Sequence, residues 1–199
     1  MKLLVKSACI AFVLTVIYSV VPFEANCSQI PDNVFRLHIV ANSDSKSDQD
    51  LKLKVRDEVL KYTYTLFNSA KSKNEAENII SDNLQNINNV AYKTVLDNGY
   101  NYPVKAEITN MYFTTRYYEN YTLPSGKYDA LRITIGSGKG KNWWCVMYPS
   151  LCIPSATDMN TLEEELSDSQ YSIVSSKGKF EIGFRILEVF NKIIDSFSA

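Results

Sequence analysis

The sequence has a single histidine, and none of its four cysteines forms a Cys-x-x-Cys pair. A structural zinc site is built from several histidine and paired cysteine ligands, so these residues cannot supply one. Asp44, Asp48 and Asp50 have a spacing that loosely resembles a calcium loop, but no glycine stands at the turn and no glutamate closes the loop. We therefore expect neither a metal site nor a cofactor.

An excess of positive charge is also missing. The chain carries 21 lysines and arginines against 22 aspartates and glutamates, which gives a net charge of −1. A nucleic-acid-binding protein normally has a basic excess that neutralises phosphates, so we expect no nucleic-acid partner. The 13 tyrosines favour contacts with another protein instead.

A glycine-rich stretch lies between two predicted strands. Tyr128–Ile135 alternates in polarity, as a half-buried strand does, and Asn142–Tyr148 is a run of large apolar residues typical of a strand covered on both faces. Gly136–Gly140 is predicted to join them as a hairpin loop. Because a strand and not a helix follows these glycines, the sequence excludes a P-loop and a dinucleotide-binding turn.

The N-terminus has the pattern of an export segment. Two lysines precede Ser7–Val21, which contains no charge and is short for a stable membrane span. No Ala-x-Ala follows this run, and Glu24 makes Cys27 a poor lipoprotein site. We predict that residues 1–26 are a signal peptide or a retained membrane anchor, and that the rest of the chain lies outside the cytoplasm.

Hydrophobic periodicity predicts an α+β fold. Strands are predicted at Val34–Ala41, from Val104 to Tyr118, on either side of the glycine loop and at Phe180–Phe184. Helices are predicted at Asp48–Phe67, capped by Ser47, at Ser72–Asn98, capped by Ser72 with Glu75, and from Ile186 onwards. Two alternatives stay open for Thr161–Ser167, a short acidic helix and a mobile segment. Strands and helices occur in runs without regular alternation, so we expect a single α+β domain over residues 34–199. Its mostly antiparallel sheet should pack against two or three helices.

The sequence also allows an enzymatic alternative. His38 and Cys145 could act as base and nucleophile, with Asp44 orienting the ring, in an exported cysteine hydrolase of peptides or cell wall. His38, however, falls with Arg36 on the strand face opposite the apolar side chains, where a partly exposed histidine is the commoner case. The Asp-Thr/Ser-Gly form of aspartic proteases is absent. We therefore expect a protein without enzymatic activity of its own.

The remaining cysteines and the tryptophans raise two structural questions. Cys145 and Cys152 are an even pair across Pro149, and an exported protein can keep a disulfide there; two buried thiols are the alternative. Trp143 and Trp144 should face opposite sides of their strand. One would then lie in the core and the other would be exposed as an interface anchor.

Two long motifs are similar to the stage II sporulation protein R family. The first is Arg36–Ser45 followed by Asp48–Asp57, and the second is Leu123–Arg132 followed by Ile135–Val146. Together they lie within 34–152 and occur in the expected order. The sequence departs from the family at Phe113-Thr114-Thr115-Arg116, where proline is usual at the second position, and at Pro149-Ser150-Leu151-Cys152, where a double proline is usual.

This resemblance implies an intercellular signal of endospore formation. Family members are exported from the forespore into the space between the forespore and mother-cell membranes. There they activate a membrane-bound aspartic protease, which processes the precursor of sigma factor E. The catalytic aspartates would belong to the protease.

We expect eight side chains to contact the extracytoplasmic part of that protease and to favour its active state. They lie near the first predicted loop and near the glycine loop: His38, Asn42, Ser43, Asp44, Arg56, Arg116, Asn142 and Trp143. Each could instead serve the fold alone. Asn42 and Asp44 could only shape the turn, and Arg56 could only pair with Asp57.

Overall fold

The computed structural model describes residues 2–67, 70–118, 120–149, 160–176 and 178–197. The chain divides into two compact units. The first contains Met1–Pro31, Tyr112–Gly126 and Leu166–Ala199, and the second contains Asp32–Met111 and Lys127–Glu165. Residues 34–199, for which the sequence predicts a single domain, thus belong partly to each unit.

A four-stranded mixed sheet has strand β1 (Phe35–Val40) in its interior. The order is β2 (Val104–Phe113), β5 (Gly126–Ile135), β1 and β6 (Asn142–Tyr148). β1 is parallel to β5 and antiparallel to β6, and all six of its residues are buried. The predicted α+β class with a mostly antiparallel sheet is confirmed.

Three helices cover one face of this sheet. They are α2 (Lys46–Leu66), α3 (Lys73–Asp82) and α4 (Leu84–Asp97), and their apolar sides form one core with the sheet. The fully or nearly fully buried members include Leu37, Ile39, Leu51, Val55, Ile80, Ile87, Ala91, Val95, Leu131 and Ile133. The spacing of the helix members follows the 3.6-residue period seen in the sequence, so the predicted packing of two or three helices on the sheet is confirmed.

The helix ends differ in detail from the prediction. Ser45, not Ser47, caps α2, because its Oγ accepts a hydrogen bond from the backbone N–H of Asp48. Ser72 caps α3 as predicted, by accepting from the N–H of Glu75. The single helix predicted from Ser72 to Asn98 is wrong, since Asn83 ends α3 and begins α4.

The hairpin predicted around the glycines is also wrong. β5 and β6 are not neighbours, because β1 lies between them in the sheet. The segment Gly136–Lys141, called the glycine loop below, therefore crosses the end of β1 over about two strand spacings, or roughly 10 Å. Gly136 and Gly138 have φ of 60° and 62°, which allows the chain to turn twice within this short connection.

The first unit is mainly helical. It contains α1 (Lys2–Gln29), the short strands β3 (Arg116–Tyr117) and β4 (Thr122–Leu123), and the helices α6 (Asp168–Ser175) and α7 (Glu181–Phe197). No helix within the described ranges is both long enough and apolar enough to cross a membrane.

Helices α6 and α7 of the C-terminal part differ from the prediction. The strand predicted at Phe180–Phe184 is wrong, because α7 begins at Glu181. α6 was not predicted; it has a complete capping box in which Ser167 and Gln170 bond each other's backbone N–H. Of the two alternatives for Thr161–Ser167, the structure has the acidic helix, α5 (Asn160–Glu165), which belongs to the second unit.

Candidate functional site

The loop that follows β1 is joined to the glycine loop by hydrogen bonds. The backbone N–H of Ser137 donates to Oδ1 of Asn42 (2.9 Å), and the Ser137 hydroxyl donates to the Asn42 carbonyl (2.7 Å). The N–H of Gly140 donates to the Ala41 carbonyl (2.9 Å). Asp44 Oδ1 accepts from the N–H of Lys141 (2.7 Å). The loop after β1 and the glycine loop, which contain most of the predicted partner contacts, are therefore hydrogen-bonded to each other.

Gly140 permits this contact through its lack of a side chain. A Cβ at this position would lie 2.3 Å from the carbonyl oxygen of Ser43 and 2.9 Å from Cβ of Ala41. Gly140 has no positive φ, so the requirement for glycine comes from the close approach of two backbones.

Asp48 anchors the first loop from the beginning of α2. Its Oδ2 accepts from Asn42 Nδ2 (2.9 Å) and from the Ser43 hydroxyl (2.6 Å). Burial alone would raise the pKa of this carboxyl, but hydrogen bonds from Ser43, Asn42, Tyr102 and Ser45 outweigh burial and lower the pKa. The ionised carboxylate thus holds the loop in place.

Lys52 binds the glycine loop from the next turn of α2. This buried lysine donates from Nζ to Gln49 Oε1 (2.7 Å) and to the backbone carbonyl of Lys141 (3.0 Å). Burial lowers its pKa; the nearby Asp44 opposes that shift, and the Arg56 and Lys141 cations add to it. The lysine fixes the far end of the glycine loop to the helix.

His38 supports this region from within the sheet. Its Nε2–H donates to Asn142 Oδ1 (2.8 Å), and its ring stacks on Trp144 with 3.9 Å between centroids. The prediction that His38 is partly exposed is wrong, since only 3% of its surface is accessible. β1 is an interior strand covered on both faces, and this is why the histidine is buried. Asn142 itself is exposed, and the hydrogen bond from His38 orients its amide.

Arg56 of α2 lies over Trp143 of β6. Its guanidinium carbon is 4.3 Å from the ring centroid, and the same group pairs with Asp57 Oδ1 at 2.6 Å. Trp143 and Trp144 project from opposite faces, as predicted. Both are half-buried, so the expectation of one core and one exposed tryptophan is wrong.

Seven of the eight predicted contact residues thus lie together in the second unit, around the two loops. Arg116 belongs to β3 of the first unit. Lys139 and Lys141 of the glycine loop are exposed in the same region, and the backbone of Lys141 is bonded to Asp44. The loop surface is defined below as the accessible group Ser43, Asp44, Lys139, Lys141 and Asn142.

The hydrolase alternative lacks its catalytic pair. In the antiparallel ladder Cys145 lies opposite Leu37, and His38 lies opposite Trp144. Residues one position apart on a strand face opposite sides, so the Cys145 sulfur and the His38 imidazole project from opposite faces of the sheet. The proposed orienting residue, Asp44, is instead bonded to the N–H of Lys141.

Two further predictions concern cysteines and metals. Cys152 lies outside the described residues, so the Cys145–Cys152 disulfide stays a prediction. Among the residues that the structure describes, no group of three or more histidine, cysteine, aspartate or glutamate side chains could hold a metal ion.

Two comparisons with known proteins match the same family. A family model described as stage II sporulation protein R matches residues 31–158. A curated protein named stage II sporulation protein R from Bacillus subtilis (strain 168) is 38% identical over 136 residues. That alignment covers 68% of this chain and 61% of the relative, so the chain spans less than two thirds of the relative's length. No solved structure gives a significant match. The family model covers most of the chain and the whole loop surface, and the resemblance found in the two sequence motifs is confirmed: the chain belongs to the stage II sporulation protein R family.

Proposed function

We propose that this protein is an exported signal of endospore formation. It passes from the forespore into the space between the forespore and mother-cell membranes and binds the extracytoplasmic part of a membrane-bound aspartic protease. Binding activates the protease, which then processes the sigma-E precursor. Membership of the stage II sporulation protein R family carries this proposal, because it supports a role in sporulation.

The loop surface is the part of the second unit best suited to such a partner. Its side chains present a carboxylate, two ammonium groups, a hydroxyl and an amide within two short loops. The loops are held by hydrogen bonds in which Asn42 and Asp48 accept and Lys52 donates, so little conformational freedom remains to be lost on binding. A preorganised polar surface of this kind favours specific recognition of another protein.

Activation then requires a difference in affinity between two states of the protease. A ligand that binds the active state more tightly shifts the population towards it, and a ligand with equal affinity for both states shifts nothing. This protein would therefore act in proportion to the amount bound, without turning over a substrate. Asp44 and Asn142 would supply contacts, and His38 and Arg56 would hold Asn142 and Trp143 in position.

The test is co-expression of the full chain with a candidate protease and the sigma-E precursor in a host that contains neither. The cleaved fraction of precursor is measured by immunoblot while the level of the chain is varied. Cleavage should depend on the chain and should saturate near one chain per protease. Precursor cleavage that is unaffected by omitting the chain contradicts the proposal.

Matched variants locate the contact surface. Asn142→Ala removes an exposed amide of the loop surface, whereas Asn86→Ala removes an exposed amide on α4. Loss of a contact worth about 1–2 kcal/mol would raise the amount of chain needed for half-maximal cleavage about 5–30-fold for Asn142→Ala. Asp44→Asn keeps an oxygen that accepts from Lys141 N–H and removes only the charge. Equal potency of Asn142→Ala, Asp44→Asn and Asn86→Ala would remove the loop surface from the proposal.

A further inference from the structure

Helix α1 changes its surroundings abruptly at Pro22. From Leu3 to Pro22, every side chain of α1 that the structure describes is exposed, although most of them are apolar; Phe12, for example, keeps 71% of its surface accessible. From Phe23 onwards the same helix packs against α6 and α7. The boundary between a free apolar segment and a docked segment therefore lies between Pro22 and Phe23.

Phe23 packs against the N-terminal part of α7 and the residue before it. Its ring meets Phe184 edge-on at 5.4 Å between centroids and lies 5.7 Å from the ring of Phe180. Gly183 leaves the space for it, since a Cβ there would lie 2.9 Å from Cζ of Phe23. Any larger side chain at position 183 would push the phenylalanine away.

The next two turns of α1 continue this contact. Cys27 has only 1% of its surface accessible and lies in an apolar cluster with Ile173, Phe184 and Leu187. On either side of it, Asn26 Oδ1 accepts from the Ser169 hydroxyl (2.8 Å), and Gln29 Oε1 accepts from Gln170 Nε2 (3.3 Å). The last turns of α1 thus supply both apolar and polar contacts to the first unit.

The environment of Cys27 opposes its modification in the folded unit. The thiol is free; burial, with a smaller effect of Glu24, raises its pKa to about 12. A protonated and inaccessible thiol is a poor nucleophile, which agrees with the weak lipoprotein pattern around it.

We infer that Phe23–Gln29 is a permanent part of the mature protein, and that any proteolytic removal of the N-terminal segment cuts before Phe23. The inference rests on the proposed export of the chain. It moves the processing boundary upstream of residue 26, where the sequence pattern had placed it. A cut at residue 26 would remove Phe23 from its contacts with Phe180 and Phe184 and would remove the Asn26 acceptor of the Ser169 hydroxyl.

The first experiment determines the mature N-terminus. The full chain is expressed in a secreting bacterial host, and the exported form is examined by intact mass and N-terminal sequencing. An N-terminus at or before Phe23 supports the inference. An exported, folded form that begins at Glu24 or later overturns it.

The second experiment needs no export and compares two matched variants of the full chain. Phe23→Ala removes the docked ring, and Phe12→Ala removes an exposed ring from the same helix. Phe23→Ala should lower the Tm followed by circular dichroism by about 4–8 °C, and Phe12→Ala should leave it within about 1 °C. Equal Tm values for the two variants overturn the inference.

The two experiments separate this inference from the proposed function. A chain that stays inside the host contradicts export, but the Tm comparison still decides whether Phe23 belongs to the folded body. Conversely, an exported form that lacks Phe23–Gln29 and still activates the protease overturns the inference and leaves the proposed function in place.

Discussion

Replacing Gly140 with alanine should separate the two loops that form the loop surface. The new Cβ would lie 2.3 Å from the Ser43 carbonyl oxygen, whereas an ordinary contact begins at 3.4 Å, so the backbones must move apart by roughly 1 Å. A contact between two backbones cannot be relieved by rotating a side chain. Strain of this kind costs about 1–3 kcal/mol. Weakening the hydrogen bonds from Gly140 N–H to Ala41 and from Lys139 N–H to Asn42 adds about 1 kcal/mol.

The expected loss of unfolding free energy for Gly140→Ala is therefore about 2–4 kcal/mol. Intrinsic fluorescence is a suitable probe, because both tryptophans of the chain lie in β6 directly after the glycine loop. Urea unfolding followed at the tryptophan emission maximum would give the free energy of this unit. The same variant should also lose potency in the precursor-cleavage assay.

Gly99→Ala is the matched control. Gly99 has a φ of 83°, but no atom lies within 4 Å of the place that a Cβ would take, so alanine there costs only the left-handed conformation, about 1–2 kcal/mol. It should leave precursor cleavage unchanged. If Gly140→Ala unfolds within about 0.5 kcal/mol of the unsubstituted protein, the close approach of the loops does not constrain the fold and the reasoning is refuted.

Three other predictions address single interactions. Arg56→Gln should destabilise the protein by about 0.5–1 kcal/mol and shift the tryptophan emission, because the cation over Trp143 is lost; unchanged emission would argue against the contact. The pKa of Asp48 is lowered from 3.8 in the folded protein, so its contribution to stability is present above that pH and is lost as the pH falls through the folded pKa. Acid unfolding monitored by fluorescence should consequently depend less steeply on pH in Asp48→Asn, and identical profiles would contradict this. Non-reduced peptide mapping by mass spectrometry should recover Cys145 and Cys152 in one cross-linked peptide, whereas two free thiols would exclude the disulfide.

The elements with long, regular patterns could be predicted from the sequence. β1 and α2 were placed within two residues at each end, since alternation and 3.6-residue spacing are local properties. The α3 cap at Ser72 is likewise local, because the hydroxyl binds an N–H three residues away.

The C-terminal helix shows where local patterns fail. Phe180, Ile182 and Phe184 alternate as a strand would, but Phe180 and Phe184 are also spaced as one helix face. The structure buries Phe184 and leaves Ile182 exposed, as a helix requires. Packing of Phe23 against Phe180 and Phe184 favours the helix, and that contact joins residues far apart in the chain.

The loop surface could be predicted only in part. Its residues stood out in the motifs, but their meeting depends on β1 lying between β5 and β6, which no local pattern indicates. The burial of His38 has the same origin, since an interior strand and an edge strand can share one alternating sequence.

The position of β1 also sets the order in which this sheet can assemble. β1 appears early in the chain, yet its parallel neighbour pairs Arg36 with Ala130, and its antiparallel neighbour pairs Phe35 with Tyr148. During synthesis β1 therefore has neither of its neighbouring strands until roughly a hundred further residues have been made. Pairings so distant along the chain form slowly. The sheet of the second unit therefore cannot be completed until the chain has been made as far as Tyr148.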